Sequence, residues 1–301
     1  MVLEKIAVYT TIYPGVEPFL SEWYTTVQEQ IDNRFDLWIG VDGLELSKIK
    51  QLVGKHIEAN WVLATQGVTP AQVRQQVLEH LVNEYEALVF VDSDDLLLPT
   101  RVVEACYALR DSDVNGCALS LVNKQGTALN VVFRPRDLAT AVSNMPRTNV
   151  FGLSNTAYRT EIMKQCLPIP PECVLVDWFL ATMAWGMEAR FSFDFVPRMY
   201  YRQHENNIAG FLPPFTARRV QLATKRVLGH YDCVLRRASV VSAARYEEIK
   251  IAAERAQIFF RAIVADNLML TRYTDALNEM ACETVWWAFV AHPELEWLWR
   301  N

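Results

Sequence analysis

The 301-residue sequence predicts an α/β fold: a mostly parallel sheet within residues 1–212, followed by an all-helical appendage over 213–301. Three observations carry this. Short β-branched runs alternate with helical stretches through the first half. The run 87–91 is apolar throughout, as suits a strand buried on both faces. From about Thr216 strand patterns cease, and 217–291 shows helical periodicity.

Taken in order, 5–11 reads as a strand, 17–30 as a helix, and 36–41 as a second strand that ends at Asp42-Gly43. Residues 44–53 read as a helix and 61–64 as a strand. A helix follows over 69–85, with Pro70 in its first turn, where a missing N–H does no harm. After Asp92 the alternation weakens. Segments 117–123 and 130–133, separated by Lys124-Gln125-Gly126-Thr127, read as a hairpin. Residues 177–185 read as a helix closed by Gly186, and 190–201 as one or two strands. In the helical tail, Ile251, Ile258, Ala262 and Ile263 are expected on one side and charges on the other.

Composition narrows the function. With 51% hydrophobic and 21% charged residues the chain reads as globular, and a formal charge of −6 argues against nucleic acid as a partner. Six scattered cysteines without a C-x-x-C spacing read as reduced core thiols. The start has no basic region followed by a long apolar one, and no apolar run approaches the ~20 residues that cross a bilayer. A cytoplasmic location is therefore expected.

The sharpest signal is Val89-Phe90-Val91-Asp92-Ser93-Asp94-Asp95, three carboxylates at the carboxyl end of an apolar strand. Ligands of open α/β sheets bind at such ends. Three like charges this close repel unless something neutralises them, and a hard divalent cation, Mn²⁺ or Mg²⁺, takes oxygen ligands. The bland alternative is that Asp94 or Asp95 caps the next helix.

At this point the chain resembles glycosyltransferase family 2 and its GT-A relatives, over residues 5–210. The resemblance rests on Ile6-Ala7-Val8-Tyr9-Thr10-Thr11, Val41-Asp42-Gly43, Gln66 to Arg74, the acidic motif, Val176-Asp177-Trp178, and Tyr200-Tyr201-Arg202-Gln203-His204 onward to Asn207. It implies a GT-A catalytic domain that moves a hexosyl or deoxyhexosyl unit from a UDP-, GDP- or dTDP-sugar to a glycan or lipid-linked acceptor, inverting the anomeric carbon. Polysaccharide or glycoconjugate synthesis is the implied setting.

By that resemblance Thr10, Thr11 and Tyr13 line the base and ribose pocket, and Asp42 accepts a hydrogen bond from the base. Arg74 stands near the diphosphate, Asp92 with Ser93 meets the donor, and Asp94 with His204 holds the metal. Arg202, Gln203 and Asn207 belong to a segment that closes over the diphosphate, and Asp177 is the general base. Val176 departs from the family pattern, where Glu is common. Asn149, Phe151 and Trp178 are candidate acceptor contacts, with Arg134, Arg136 and Arg147 nearby in sequence.

Two rivals remain at this stage: a nucleotidyltransferase of related fold, and a non-catalytic carbohydrate-binding protein that kept the fold. The first should carry a Gly-rich phosphate loop, yet 10–15 holds one glycine. The tail is dense in aromatics, Trp286-Trp287-Ala288-Phe289 and Trp297-Leu298-Trp299. Core packing or a homo-oligomer interface is favoured there over peripheral contact with the inner membrane face.

Overall fold

The computed structural model describes residues 3–54, 56–204 and 207–300. The β-branched and aromatic run IAVYTTI forms β1 (Ile6–Ile12), and all of it is buried, so both faces of the sheet are covered there. Then come α1 (Leu20–Gln28), β2 (Asp36–Val41), α2 (Leu46–Val53), β3 (Asn60–Leu63), α3 (Pro70–Glu84) and β4 (Ala87–Phe90), the expected alternation. The start of α3 is fixed by a capping box. Thr69 N–H donates to Gln72 Oε1 (2.8 Å) and Gln72 N–H to the Thr69 hydroxyl (3.3 Å).

Beyond β4 the elements are shorter: β5 (Leu96–Leu97), α4 (Arg101–Ala108), β6 (Val114–Asn123), β7 (Ala128–Phe133), α5 (Leu138–Ser143), β8 (Thr156–Arg159) and α6 (Thr160–Cys166). The chain continues through α7 (Val176–Gly186), β9 (Phe191–Gln203), α8 (Ala217–Leu235), α9 (Ala243–Ala265), α10 (Asn267–Glu279) and α11 (Glu296–Trp299). The expected hairpin is the antiparallel pair β6–β7.

The strands form one sheet in the order β3-β2-β1-β4-β8-β6-β9-β5, with β7 added on β6. Strands β3, β2, β1 and β4 run parallel. Strand β8 lies antiparallel to both β4 and β6, and β9 is parallel to β6. Two reversals restore the direction, so β9 points the same way as β1 and β4. The carboxyl ends of β1, β2, β4 and β9 therefore share one edge of the sheet, and the site is built there.

The chain divides into two compact units. The first comprises Met1–Arg134, Phe151–Glu172 and Ala189–Glu205 and holds the whole sheet. The second comprises Pro135–Val150, Cys173–Glu188 and Asn206–Asn301, with α5, α7 and α8 to α11.

In the first unit, Gly116 on β6 lies between aromatic rings: a Cβ there would stand 2.8 Å from Phe193 and 2.9 Å from Phe151. Gly116→Ala should lower stability by about 1–3 kcal/mol, the usual penalty for overpacking a core. A thermal melt that matched wild type would show that the rings yield freely.

In the second unit, α8 buries Val220, Ala223, Thr224, Val227, Tyr231 and Val234, a stripe at helical spacing. On α9 the expected face is corrected. The buried stripe is Ile249, Ala252, Ala256, Phe259 and Ile263, whereas Ile251 and Ile258 are exposed. These two lie two turns apart on one side, so their spacing reads as helical although that side faces outward. The helical reading of 217–291 also ends early, at Glu279. The following aromatics form core instead: Trp286, Trp287, Phe289 and Trp299 are buried, and the Tyr273 hydroxyl donates to Phe289 O (2.9 Å). Gly186 does not supply the left-handed residue after α7. That position falls at Glu188 (φ 61°), while a Cβ on Gly186 would lie 2.8 Å from Val241. No helix among the described residues is long and apolar enough to cross a membrane.

Candidate active site at the carboxyl edge of the sheet

Leaving β4, the chain presents Asp92, Ser93, Asp94 and Asp95 in a tight turn in which Asp95 N–H donates to Asp92 O (3.2 Å). One carboxylate oxygen from each of Asp92, Asp94 and Asp95 lies within 4.8 Å of the others. Asp92 is half-buried, and Asp94 and Asp95 are buried. The Ser93 hydroxyl donates to Thr11 O (2.8 Å), which ties the turn to β1. Ser93 therefore positions the turn rather than offering its hydroxyl to a donor.

Asp95 is the buttress of the cluster. It accepts hydrogen bonds from the Ser154 hydroxyl (2.5 Å) and from Arg202 N–H (2.7 Å). Burial, then the charges of Asp94 and Asp92, pushes its pKa well above the usual carboxylate range. The alternative of a helix cap is not realised, because α4 begins after Thr100.

The end of β9 completes the arrangement. Arg202 is fully buried, and its guanidinium is engaged by the protein. Nε donates to Asp94 O (2.8 Å), Nη1 to Lys124 O (2.9 Å) and Nη2 to Glu22 Oε2 (2.7 Å), while the group lies 4.7 Å above the Phe19 ring. The expected contact of Arg202 with a diphosphate is thereby corrected: a fork holding two backbone carbonyls and a carboxylate is a positioning group. Next along the chain, Gln203 Nε2 donates to Arg202 O (3.4 Å). His204 Nε2 stands 2.9 Å from Asp94 Oδ2, and its ring stacks on Phe19 at 5.4 Å. In the same segment, Glu205 and Asn206 lie outside the described residues.

At the ends of β1 and β2, Asp42 N–H donates to Ile12 O (2.9 Å), so the Asp-Gly turn continues the sheet edge. Tyr13 is half-buried. Its pKa is raised by burial and then by the charges of Asp94 and Asp92. Arg74, on the first turns of α3, donates to Pro70 O (3.1 Å), and its charge opposes that rise. The Thr11 hydroxyl pairs with that of Tyr9 (3.0 Å), whereas the Thr10 hydroxyl is buried without a partner among the described residues. The first unit thus gathers Thr11, Tyr13, Asp42, Arg74, the acidic turn and His204 on the sheet edge that the topology marks out.

Asp177 belongs to the second unit. It is the second residue of α7, where the helix dipole favours a carboxylate, and it accepts a hydrogen bond from Asn149 Nδ2 (3.0 Å). Asn149 is itself buried and exchanges two backbone hydrogen bonds with Trp286 (3.1 and 2.9 Å). Its expected acceptor contact is corrected to orientation of Asp177. Trp178 is fully buried, donates from Nε1 to Met145 O (2.9 Å), and stacks on His230 at 4.0 Å. Phe151, in the first unit, is fully buried and packs on Phe191 and Phe193. Neither ring is available to an acceptor. Asn207 is half-buried in the second unit. Sequence reasoning missed Ser154, Glu22 and the buttress role of Asp95; a lone serine in a loop and an exposed glutamate carry no local signal.

Neither a family model nor a curated protein matches the sequence. Among solved structures, the mannosyltransferase PcManGT from Pyrobaculum calidifontis, in complex with GDP-Man and Mn²⁺, superposes with a TM-score of 0.58 at 14% identity. The likeness covers 92% of this chain and 76% of that one. The chain shares its fold with a mannosyltransferase. S. aureus TarS 1-349 in complex with UDP-GlcNAc gives a TM-score of 0.55 at 14% identity, over 90% of both chains. A second structure of TarS 1-349 gives a TM-score of 0.53 at 17% identity, over 90% of each chain. The α/β fold expected from the sequence is therefore found, with its helical tail.

Proposed function

We propose that the chain is a metal-dependent, inverting glycosyltransferase of the family 2 type, using a nucleoside-diphosphate sugar as donor. The observation that carries this reading is the acidic turn with His204 at the carboxyl edge of the sheet, where Asp94 and His204 approach to 2.9 Å. Support comes from the fold shared with proteins solved in complex with GDP-Man and with UDP-GlcNAc.

The residues fit a hard divalent cation: three carboxylates crowd together, two of them buried, and one imidazole joins them. Asp94 and His204 are the proposed ligands of Mn²⁺ or Mg²⁺, which when bound supplies Lewis-acid stabilisation of the diphosphate leaving group. The chain's own residues do the rest. Thr11, Tyr13 and Asp42 receive the nucleoside, Asp92 its ribose, and Arg74 a phosphate oxygen, whose geometry its planar fork suits. Arg202 and Ser154 keep the acidic turn in place through the Asp95 carboxylate and, for Arg202, the Asp94 backbone carbonyl. Asp177, oriented by Asn149, takes the proton of the acceptor hydroxyl as that oxygen forms the new bond at the anomeric carbon and the diphosphate departs from the opposite side. The acceptor class proposed is a glycan or a lipid-linked glycan.

A thermal-shift screen of UDP, GDP and dTDP, each with Mn²⁺, Mg²⁺ or chelator, tests the donor half of this reading. Binding to the native state raises the midpoint, by about 2.7 kcal/mol of added stability at a hundredfold excess over Kd. One nucleotide should raise the midpoint, and only with metal. A flat response to all three would remove the proposal.

A further inference from the structure

In the second unit, Arg147 and Arg255 line one cavity with Tyr231, Val227 and Val290, enclosing about 330 Å³ counted to its open mouth. Two cations thus share a partly apolar space. Arg255 donates from Nη1 to Glu296 (2.6 Å) and from Nε to Ala291 O (3.2 Å), but its Nη2 is buried with no hydrogen-bond partner among the described residues. Arg147 is held by its backbone, N–H to Asn144 O at 2.8 Å, and its guanidinium makes no hydrogen bond or ion pair among the described residues. Burial, then the charge of Arg255, pulls its pKa below the usual arginine range. The nearby acids are engaged elsewhere: Glu296 by Arg255 and Arg300, and Glu283 by His292 (2.9 Å). The Tyr231 hydroxyl donates to Pro146 O (2.7 Å), and burial raises its pKa, so it brings no negative charge.

An unpaired guanidinium and an orphaned N–H in one half-buried space are unfavourable, because each has lost water and the two charges repel. An oxyanion reverses both terms by accepting from the two forks at once. We propose that Arg147 and Arg255 form a binding site for a phosphoryl oxyanion, either free phosphate or a phosphoryl group carried by a larger molecule. Arg147 lies just before Asn149, whose side chain holds Asp177, so occupancy would stiffen the segment that orients that carboxylate.

The test uses the whole chain at constant ionic strength, with neither donor nor divalent metal, so its failure would leave the glycosyltransferase reading untouched. Inorganic phosphate is titrated calorimetrically into wild type, Arg147→Gln, Arg147→Lys and Arg255→Gln. Saturable binding is expected in wild type, weakened about tenfold or more in either glutamine variant, as the loss of a charged hydrogen bond implies. Arg147→Lys, which keeps the charge without the fork, should fall between. Arg147→Gln removes no bond within the protein, so its melting midpoint without phosphate should equal or exceed that of wild type. Glycerol 3-phosphate and dimethyl phosphate separate the sources: binding of the monoester alone assigns free or terminal phosphate, and equal binding of the diester assigns a phosphodiester chain. Lack of saturable binding at millimolar phosphate, or equal affinity in wild type and both glutamine variants, would overturn the site.

Discussion

Asp94→Ala should abolish metal-dependent binding of the nucleoside diphosphate and lower turnover by about 100-fold or more. Groups that merely support a metal ligand are worth about 10- to 100-fold, and Asp94 is the proposed ligand itself. The fold should survive. The Asp94 carboxylate pairs with His204, while the contact that anchors Arg202 runs through the Asp94 backbone carbonyl, which alanine retains. The substitution also removes one of the charges that raise the Asp95 pKa, so the melting midpoint without metal should be no lower than that of wild type. Calorimetry with and without Mn²⁺, beside a thermal melt, measures both. Unchanged affinity in the presence of metal would sink the assignment of Asp94.

The sequence was most legible where local chemistry and tertiary burial agree. Strand β1 is built of β-branched and aromatic residues and is buried throughout, and α3 opens with Thr69-Pro70-Ala71-Gln72, a cap that states its own boundary. The acidic turn was legible for a related reason: three carboxylates after an apolar strand have few neutral explanations.

What failed was decided at long range. Strand β8 has four residues and is a strand because β4 and β6 flank it, which TAYR by itself does not specify. Arg202 reads as an anion-binding side chain, but its partners lie far off in sequence, at Glu22, Asp94 and Lys124. Trp178, next to Asp177 in its motif, and Asn149 and Phe151, in the run between the hairpin and Asp177, read as acceptor contacts by their place in the sequence. Burial fixed them as core or support, and burial is a property of the assembled unit. On α9, the periodicity of Ile251 and Ile258 was real, yet the face that packs was set by Ala252, Ala256 and Phe259, small and aromatic residues fitting a neighbouring helix.

Asp177→Asn should leave donor binding unchanged while lowering turnover by about 10² to 10⁴, the range for loss of a general base. The amide is nearly the same size as the carboxylate and keeps a carbonyl oxygen able to accept from Asn149 Nδ2, so the start of α7 should hold its shape. What is lost is a group that can accept a proton from a hydroxyl whose own acidity is negligible at neutral pH. A smaller stability effect accompanies this, because the helix dipole favours negative charge in the first turn by about 0.3–1 kcal/mol. That difference separates the two roles Asp177 can play. A cap alone predicts a slightly lower melting midpoint with near-normal turnover at saturating acceptor, whereas a base predicts a large drop in kcat with the nucleotide Kd intact. Asn149→Ala supplies the companion measurement. Removing the donor that orients the carboxylate should lower kcat by less than Asp177→Asn does, since the base remains but is no longer held. Should Asp177→Asn turn over at the wild-type rate, Asp177 is a helix-terminus carboxylate and the base must be sought elsewhere on the chain.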